Sequence, residues 1–485
     1  MHDMLVLNNK INSWKQIIRF ELHTLLRTGT LPALLLIILS AGTAAVLFGH
    51  HIRVHQLNTL DSIRIDYSIQ YDKLYKGLSA DTSTPEGKAA YISASHPAVI
   101  DYRLHKTVAH PPAAFSGLSV GMSDMTRYYV PVTVKETYVP VEEKINNPLH
   151  LLTGNFDVSF LIIYLLPLAL ICTSYNLLAQ EKEQGTLSLL IIQKGGIADL
   201  LFLRLLIRYA VVLCCVLLLT LLSITLTQTA SFADTLSWLL ISAAYLAVWT
   251  GIIWLLLSWN AGTAVSLITM LCAWMFLLVV LPSLFNFRLN HADTDENTAI
   301  LASLQREIEW DTWDMPQQQV LDSFYAVYPV YRNSQAYDTS ASSTRRMMAY
   351  YDLVSRRMQR LTAQATINRI QGIQQINHSY QYNPAVYTQA LLNSVAHTDI
   401  ADYAYFQQQT ALFRQQWKSF LYYYHFNDKK FSADDYRILP VYHPSYRPDS
   451  RKLQLQGVCH LLLLAGGLLL TGTFLLRKNH TGHRI

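Results

Sequence analysis

The sequence predicts an all-α polytopic membrane protein. Six transmembrane helices carry two extracytoplasmic insertions, the first mixed α/β and the second mainly helical. Two observations predict the spans. Only 15% of the 485 residues are charged, against roughly 25% in a soluble chain, and the charges are missing from particular long windows. A bilayer core about 30 Å thick needs roughly 20 apolar residues as helix. Six windows meet that need: Leu31–Phe48, Val158–Leu178, Leu205–Leu226, Leu236–Leu257, Ala264–Leu284 and Val458–Leu476. A third observation, the placement of basic residues, orients them.

The first window follows an amphipathic lead of about 30 residues and lacks a clean small-residue cleavage site, so it is expected to stay as a signal anchor. Residues 1–30 carry Lys10, Lys15, Arg19 and Arg27. Residues 180–208 carry Lys182, Lys194, Arg204 and Arg208, and the tail carries Arg477, Lys478 and Arg484. These eleven basic residues face five acidic ones (Asp3, Glu21, Glu181, Glu183, Asp199), an excess of +6, while everything else nets −1. The positive-inside rule then puts both termini in the cytoplasm. A bacterial inner membrane is the expected location.

The organisation follows. Residues 1–30 form an amphipathic cytoplasmic helix, with Trp14, Ile17, Ile18, Leu22 and Leu25 on one face. Residues 31–49 are the first span, 50–155 a first periplasmic domain and 156–179 the second span. Residues 180–204 form a cytoplasmic connection, 205–284 spans three to five, 285–452 a second periplasmic domain, 453–476 the last span and 477–485 the tail. Each insertion is long enough for a core of its own. All five cysteines lie in or beside apolar spans, so neither insertion has a disulfide framework.

In the first insertion, helix is expected to continue from the first span, with a short strand or two around "TRYYVPVTVKETYVPV". In the second, Met347, Tyr351, Val354, Met358, Leu361 and Ala365 step by four and three. Phe406, Thr410, Phe413, Trp417, Phe420 and Tyr424 do the same. Two such seams predict two packed arms of a helical hairpin or small bundle, joined through "NHSYQYNPAVY". Prolines 440, 444 and 448 predict an extended descent to the last span. Small-residue stretches, "SAGTAA" in the first span and "AGG" in the last, are expected at helix contacts.

Several chemistries are excluded by their motifs. No G-x-x-x-x-G-K-[ST] phosphate loop occurs, nor H-E-x-x-H, C-x-x-C or G-x-S-x-G. No catalytic residue, metal site or nucleic-acid partner is expected. His51 and His55 are spaced to clamp a metal, but among 17 histidines such a pair at a helix exit reads as interfacial. Asp157 and Asp234 stand at span starts, where a carboxylate caps free N–H groups. The spans hold almost no other ionisable residue, which disfavours a proton-coupled carrier.

One cytoplasmic stretch stands apart: "LAQEKEQGTLSLLIIQKGG", Leu178 to Gly196. A charged turn at Glu181–Glu183 reverses at Gly185 and becomes apolar at once. A turn of that kind suits docking on a cytosolic partner, and equally an ordinary interhelical loop. The stretch "NNPLHLLTGNFDVSFLIIYLLPLALICTSYNLLAQEKEQGTLSLL" resembles permease subunits of type-2 ABC transporters. It is similar to a bacterial branch with two large periplasmic domains, encoded as paired permeases. The matching positions are Asn147, Pro148, Leu149, Gly154, Asp157, Phe160, Pro167, Leu168, Glu181, Gly185, Thr186 and Leu187. The six-span layout and "TDIADYAYF…FRQQWKSFL" fit the same branch.

The resemblance implies no catalysis in this chain, with ATP and Mg²⁺ bound by a separate ABC ATPase dimer. It implies a second permease chain, identical or paralogous, a lipid bilayer around both, and a periplasmic protein partner. It assigns ATPase coupling to Glu181, Glu183, Gly185, Thr186, Leu187 and Leu190, and implies export of an amphiphilic or peptide-like substrate. Its rivals are a mechanotransmitter that remodels a periplasmic protein and a membrane sensor or scaffold. The large insertions depart from the small exporters of the class, so no substrate-binding residue carries over.

Overall fold

The computed structural model describes residues 17–27, 29–135, 156–185, 197–284, 298–332, 344–361 and 381–481. Among them six helices are long and apolar enough to cross a membrane: Thr30–Gly77, Val158–Glu183, Ala198–Thr227, Phe232–Leu257, Thr263–Leu284 and Ser450–Lys478. They are spans 1 to 6, and each contains its predicted apolar window. The chain is a polytopic, almost entirely helical membrane protein. Spans 1 and 2 flank the first insertion and spans 5 and 6 the second, so both insertions share one side, here the domain side. The opposite face is the terminus side.

Small residues set the closest approaches. Gly42 and Ala45 of span 1 are buried, and a Cβ on Gly42 would run into Leu219 of span 3. Gly49 meets the backbone of Gly117, a residue of the first insertion, at a distance that leaves no room for any side chain. Span 6 packs along span 4 more extensively than any other described pair. There the intimate contacts are Gly251 against Ala465 and Leu468, and Gly472 against Trp254. Gly466 and Gly467 have nothing within 4 Å, so of the "AGG" triplet only Ala465 serves as a helix contact.

Two spans contain a π-helical turn, Leu161–Leu165 in span 2 and Phe276–Val280 in span 5. Widening a helix this way loosens its i→i−4 ladder and frees carbonyls that an apolar medium penalises. Three side chains from neighbouring elements meet carbonyls in these turns. Tyr245 donates to Ile163 O at 2.9 Å, Trp274 Nε1 to Tyr164 O at 3.1 Å, and Asn383 Nδ2 to Leu277 O at 2.8 Å.

Asn383 also opens an element that the expected turn at "NHSYQYNPAVY" conceals. It caps helix Pro384–Ala396, accepting from Ala385 N at 3.0 Å. That helix packs against spans 4 and 6 and buries Leu391, Leu392 and Val395 in the same cluster as the spans. The two arms are therefore not joined by a simple turn.

The first insertion begins as expected. Span 1 continues without a break to Gly77, 48 residues in all. Helices Pro85–Ser95 and Pro97–Arg103 follow, and strand Lys106–Ala109 then pairs antiparallel with strand Tyr129–Val132. In the second insertion the seam of helix Ile400–Phe426 is buried at Phe406, Thr410, Phe413, Trp417 and Tyr424. On the helix spanning 344–361 the buried face is rotated by about one residue. Val354 and Met358 are inside, Leu361 is exposed, and Met348, Ala349 and Asp352 replace Met347 and Tyr351. Ala365 lies outside the described residues.

The expectation of two independent cores is corrected. Leu74, Ile100, Leu104, Val108 and Val132 of the first insertion share one apolar cluster with Phe324, Phe406, Phe413, Trp417 and Tyr436 of the second. Polar bonds seal the joint: Tyr436 OH donates to Ala94 O at 2.7 Å, and Phe431 N to Ser95 O at 2.9 Å. With no disulfide in reach, pooling apolar surface is the physical route to a sufficient core.

Candidate functional site

The terminus-side turn is built from the terminus-side ends of spans 2, 3 and 5. Span 2 runs on through Ala179–Glu183 and stops at Gly185, whose φ of 71° is left-handed and whose Cβ position faces open space. A glycine there ends the helix without the strain an L side chain would bring. Span 2 thus ends at Gly185 as expected, and the chain that would complete the reversal lies outside the described residues. Thr186, Leu187 and Leu190 lie outside the described residues.

Both glutamates engage neighbouring spans. Glu181 Oε1 pairs with Arg204 Nη1 at 2.8 Å. Arg204 Nε also meets Glu21 Oε2 at 3.2 Å, and Glu21 Oε1 holds Arg208 Nη2 at 2.8 Å. Arg204 and Arg208 are one helical turn apart on span 3, so a single carboxylate can bridge them. Arg208 Nε further donates to Thr173 O of span 2 at 2.8 Å. Two carboxylates and two guanidiniums thus form a balanced, largely buried cluster. Such a cluster holds only while complete, since removing one member strands the others in low dielectric. Glu183 has a separate task. Its Oε1 accepts from Thr263 Oγ1 at 2.7 Å and from Thr263 N at 3.3 Å, capping the start of span 5.

Glu21 belongs to the helix over residues 17–27, within the predicted amphipathic segment. Its Ile17, Leu22 and Leu25 pack on Leu31, Leu203 and Ile207, so this helix is fastened to spans 1 and 3. Trp14 lies outside the described residues. Glu21, Arg204, Arg208 and Thr263 are the members of the turn that sequence reasoning missed. The signal was available: two arginines at i and i+4 in the apolar run "LLFLRLLIRY" demand anionic partners.

On the domain side a second polar junction joins insertions to spans. Asp157 caps span 2 as expected, Oδ1 accepting from Phe160 N at 2.8 Å and Ser159 Oγ at 2.7 Å. Its Oδ2 accepts from Val120 N at 2.8 Å. Gln389 donates to Ser159 Oγ at 3.0 Å and to Asn393 Oδ1 at 2.9 Å. Thr398 Oγ1 reaches Ser119 O at 2.9 Å. Asp234 stands in the first turn of span 4, where Ser231 is the N-cap. It complements the helix dipole there but is not the capping residue.

A family model described as a domain of unknown function (DUF3526) matches residues 299–445, under a third of the chain. The stretch includes the embedded helix Pro384–Ala396, the buried Trp417 and most of the second insertion. No curated protein and no solved structure matches the chain.

Proposed function

We propose that this chain is the membrane-spanning permease subunit of an ATP-driven ABC transporter, working with a dimer of separate ATPase chains and a second permease chain. The observation that carries the reading is the turn at Gly185. It is clamped at Glu181 to span 3 and at Glu183 to span 5, so a push on residues that follow it reaches three spans together. The glutamates shape the turn, and Thr186, Leu187 and Leu190 offer the surface to the partner. ATP-driven closure of the ATPases would then shift the spans between two arrangements. An amphiphilic or peptide-like substrate leaves toward the domain side, which in this reading is the bacterial periplasm.

The test uses the tagged full-length chain extracted from its own membrane in mild detergent. An ATPase subunit should co-purify, and its hydrolysis rate should depend on the permease. Gly185→Val, which disfavours positive φ, should uncouple the two. Gly185→Asn, which tolerates it, should keep most coupling. Normal coupling in Gly185→Val would reject the reading. For orientation, an impermeant thiol reagent outside right-side-out vesicles should label Ser323→Cys and not Ser188→Cys.

One observation favours a second reading, work transmitted to a periplasmic protein. Span 1 enters the insertion core as an uninterrupted helix, a mechanical connection that export alone does not require. Remodelling of a co-purified periplasmic partner on ATP addition, without substrate movement, would select it.

A further inference from the structure

A cavity of about 550 Å³ opens on the domain side, between Arg53 of span 1 and the ends of spans 3, 4 and 6. Its lining includes Arg53, Arg447, Arg451, Asp234, His397 and Tyr446. Arg53 leaves span 1 just beyond the apolar window and is 8% exposed. Its Nε donates to Ala113 O at 3.1 Å and its Nη2 to Thr229 Oγ1 at 3.2 Å. Both acceptors are neutral, and no carboxylate among the described residues pairs with it. A buried guanidinium held only by neutral oxygens is costly unless a counter-charge arrives.

The other two arginines divide. Arg447 is balanced from behind: Nη2 lies 3.4 Å from Asp399 Oδ2 and Nε 4.0 Å from Asp402 Oδ1. Arg451, in the first turn of span 6, is exposed and has no carboxylate partner among the described residues. Against Arg53 and Arg451 the lining supplies one acid, Asp234. The three arginines are matched in number by Asp234, Asp399 and Asp402, but Asp399 and Asp402 lie behind Arg447, so the open wall presents Arg53 and Arg451 as planar forks that match phosphate oxygens. One wall is flat, His397 stacking on Tyr446 with ring centroids 4.4 Å apart. The volume lies in the range of small-ligand sites.

We propose that this cavity binds the phosphate group of an anionic amphiphile, whose tails stay in the adjoining leaflet beside the span ends. Arg53 and Arg451 contact the phosphate, and Arg447 holds the wall in place through its two aspartates. The one negative charge of a phosphodiester supplies the counter-charge that Arg53 lacks, whereas a zwitterionic head would bring a cation back to the arginines. The site stands apart from the terminus-side turn and does not rest on the transporter reading.

The experiment follows the thermal midpoint of the full chain in neutral detergent, titrated with three probes: dihexanoyl phosphatidylglycerol, dihexanoyl phosphatidylcholine and inorganic phosphate. Phosphatidylglycerol should raise the midpoint saturably, and phosphatidylcholine should not. Arg451→Gln, at an exposed position where folding is not at stake, should weaken the apparent affinity by roughly tenfold or more. Arg53→Gln, if it folds, should do the same. Inorganic phosphate matching phosphatidylglycerol would keep the anion site but reject the amphiphile as its occupant. No response to either anion, or a response unchanged in Arg451→Gln, would overturn the site.

Discussion

Trp417 Nε1 donates to Asp101 Oδ1 at 2.8 Å, joining residues 316 positions apart, one from each insertion. Val134 N approaches the same carboxylate at 3.1 Å. Burial nevertheless pushes the Asp101 carboxyl above its ordinary range. Trp417 is thus both the largest filler of its seam and the donor that satisfies a buried acid. Trp417→Phe should cost about 1–3 kcal/mol by leaving that acid short of a donor. Trp417→Ala should cost about 3–5 kcal/mol by adding a cavity. Thermal unfolding of the full chain checks both, because residues 290–450 alone lack the part of this core that the first insertion supplies. Equal losses for the two variants would mean that the ring's volume contributes nothing.

The terminus-side ion cluster makes a ranked prediction. Glu21→Gln strips both Arg204 and Arg208 of a shared carboxylate and should cost about 3–5 kcal/mol. Glu181→Gln should cost less, since Arg204 keeps Glu21. Stability measurements that reversed this order would displace Glu21 from the bridging position.

Glycine positions give a paired test. Gly49→Ala drives a Cβ into the carbonyl of Gly117 and should destabilise by about 1–3 kcal/mol. Gly466→Ala has open space around it. It should be neutral or gain roughly 0.5–1 kcal/mol from helix propensity. Equal melting temperatures for the two variants would contradict the span 1 contact.

Acid should act through His425. Burial, with a smaller contribution from His96, lowers its pKa from 6.5 to about 4. Arg345, which ion-pairs with Asp428, donates to its backbone carbonyl and adds to the cationic surroundings. The folded state therefore prefers neutral imidazole. The stability this contributes is complete above pH 6.5 and is lost as pH falls through 4, amounting to about 3 kcal/mol. His425→Phe should remove that part of the acid dependence. Denaturation curves between pH 4 and 8 that keep the wild-type slope would assign acid sensitivity elsewhere.

What the sequence made legible was local. Charge-poor windows found all six spans, because a bilayer rejects ions residue by residue. The Asp157 cap and the Phe406–Tyr424 seam followed from spacing along one helix. The embedded helix Pro384–Ala396 escaped because thirteen residues are too few to read as a span. The shared core escaped because pairing across 316 positions leaves no periodic trace. Arg204 and Arg208 were counted as charges that orient the chain, and their spacing on one helical face was passed over. At the terminus-side turn, the sequence singled out Glu181, Glu183 and Gly185 but not what holds them.

The pairing of Asp101 with Trp417 also sets a schedule. At about 5–20 residues per second of synthesis, the indole follows its acceptor by roughly 15–60 s. Through that interval the first insertion has already emerged, with Ile100, Leu104, Val108 and Val132 uncovered and four further spans still to be threaded. That apolar surface is covered only when helix Ile400–Phe426 arrives.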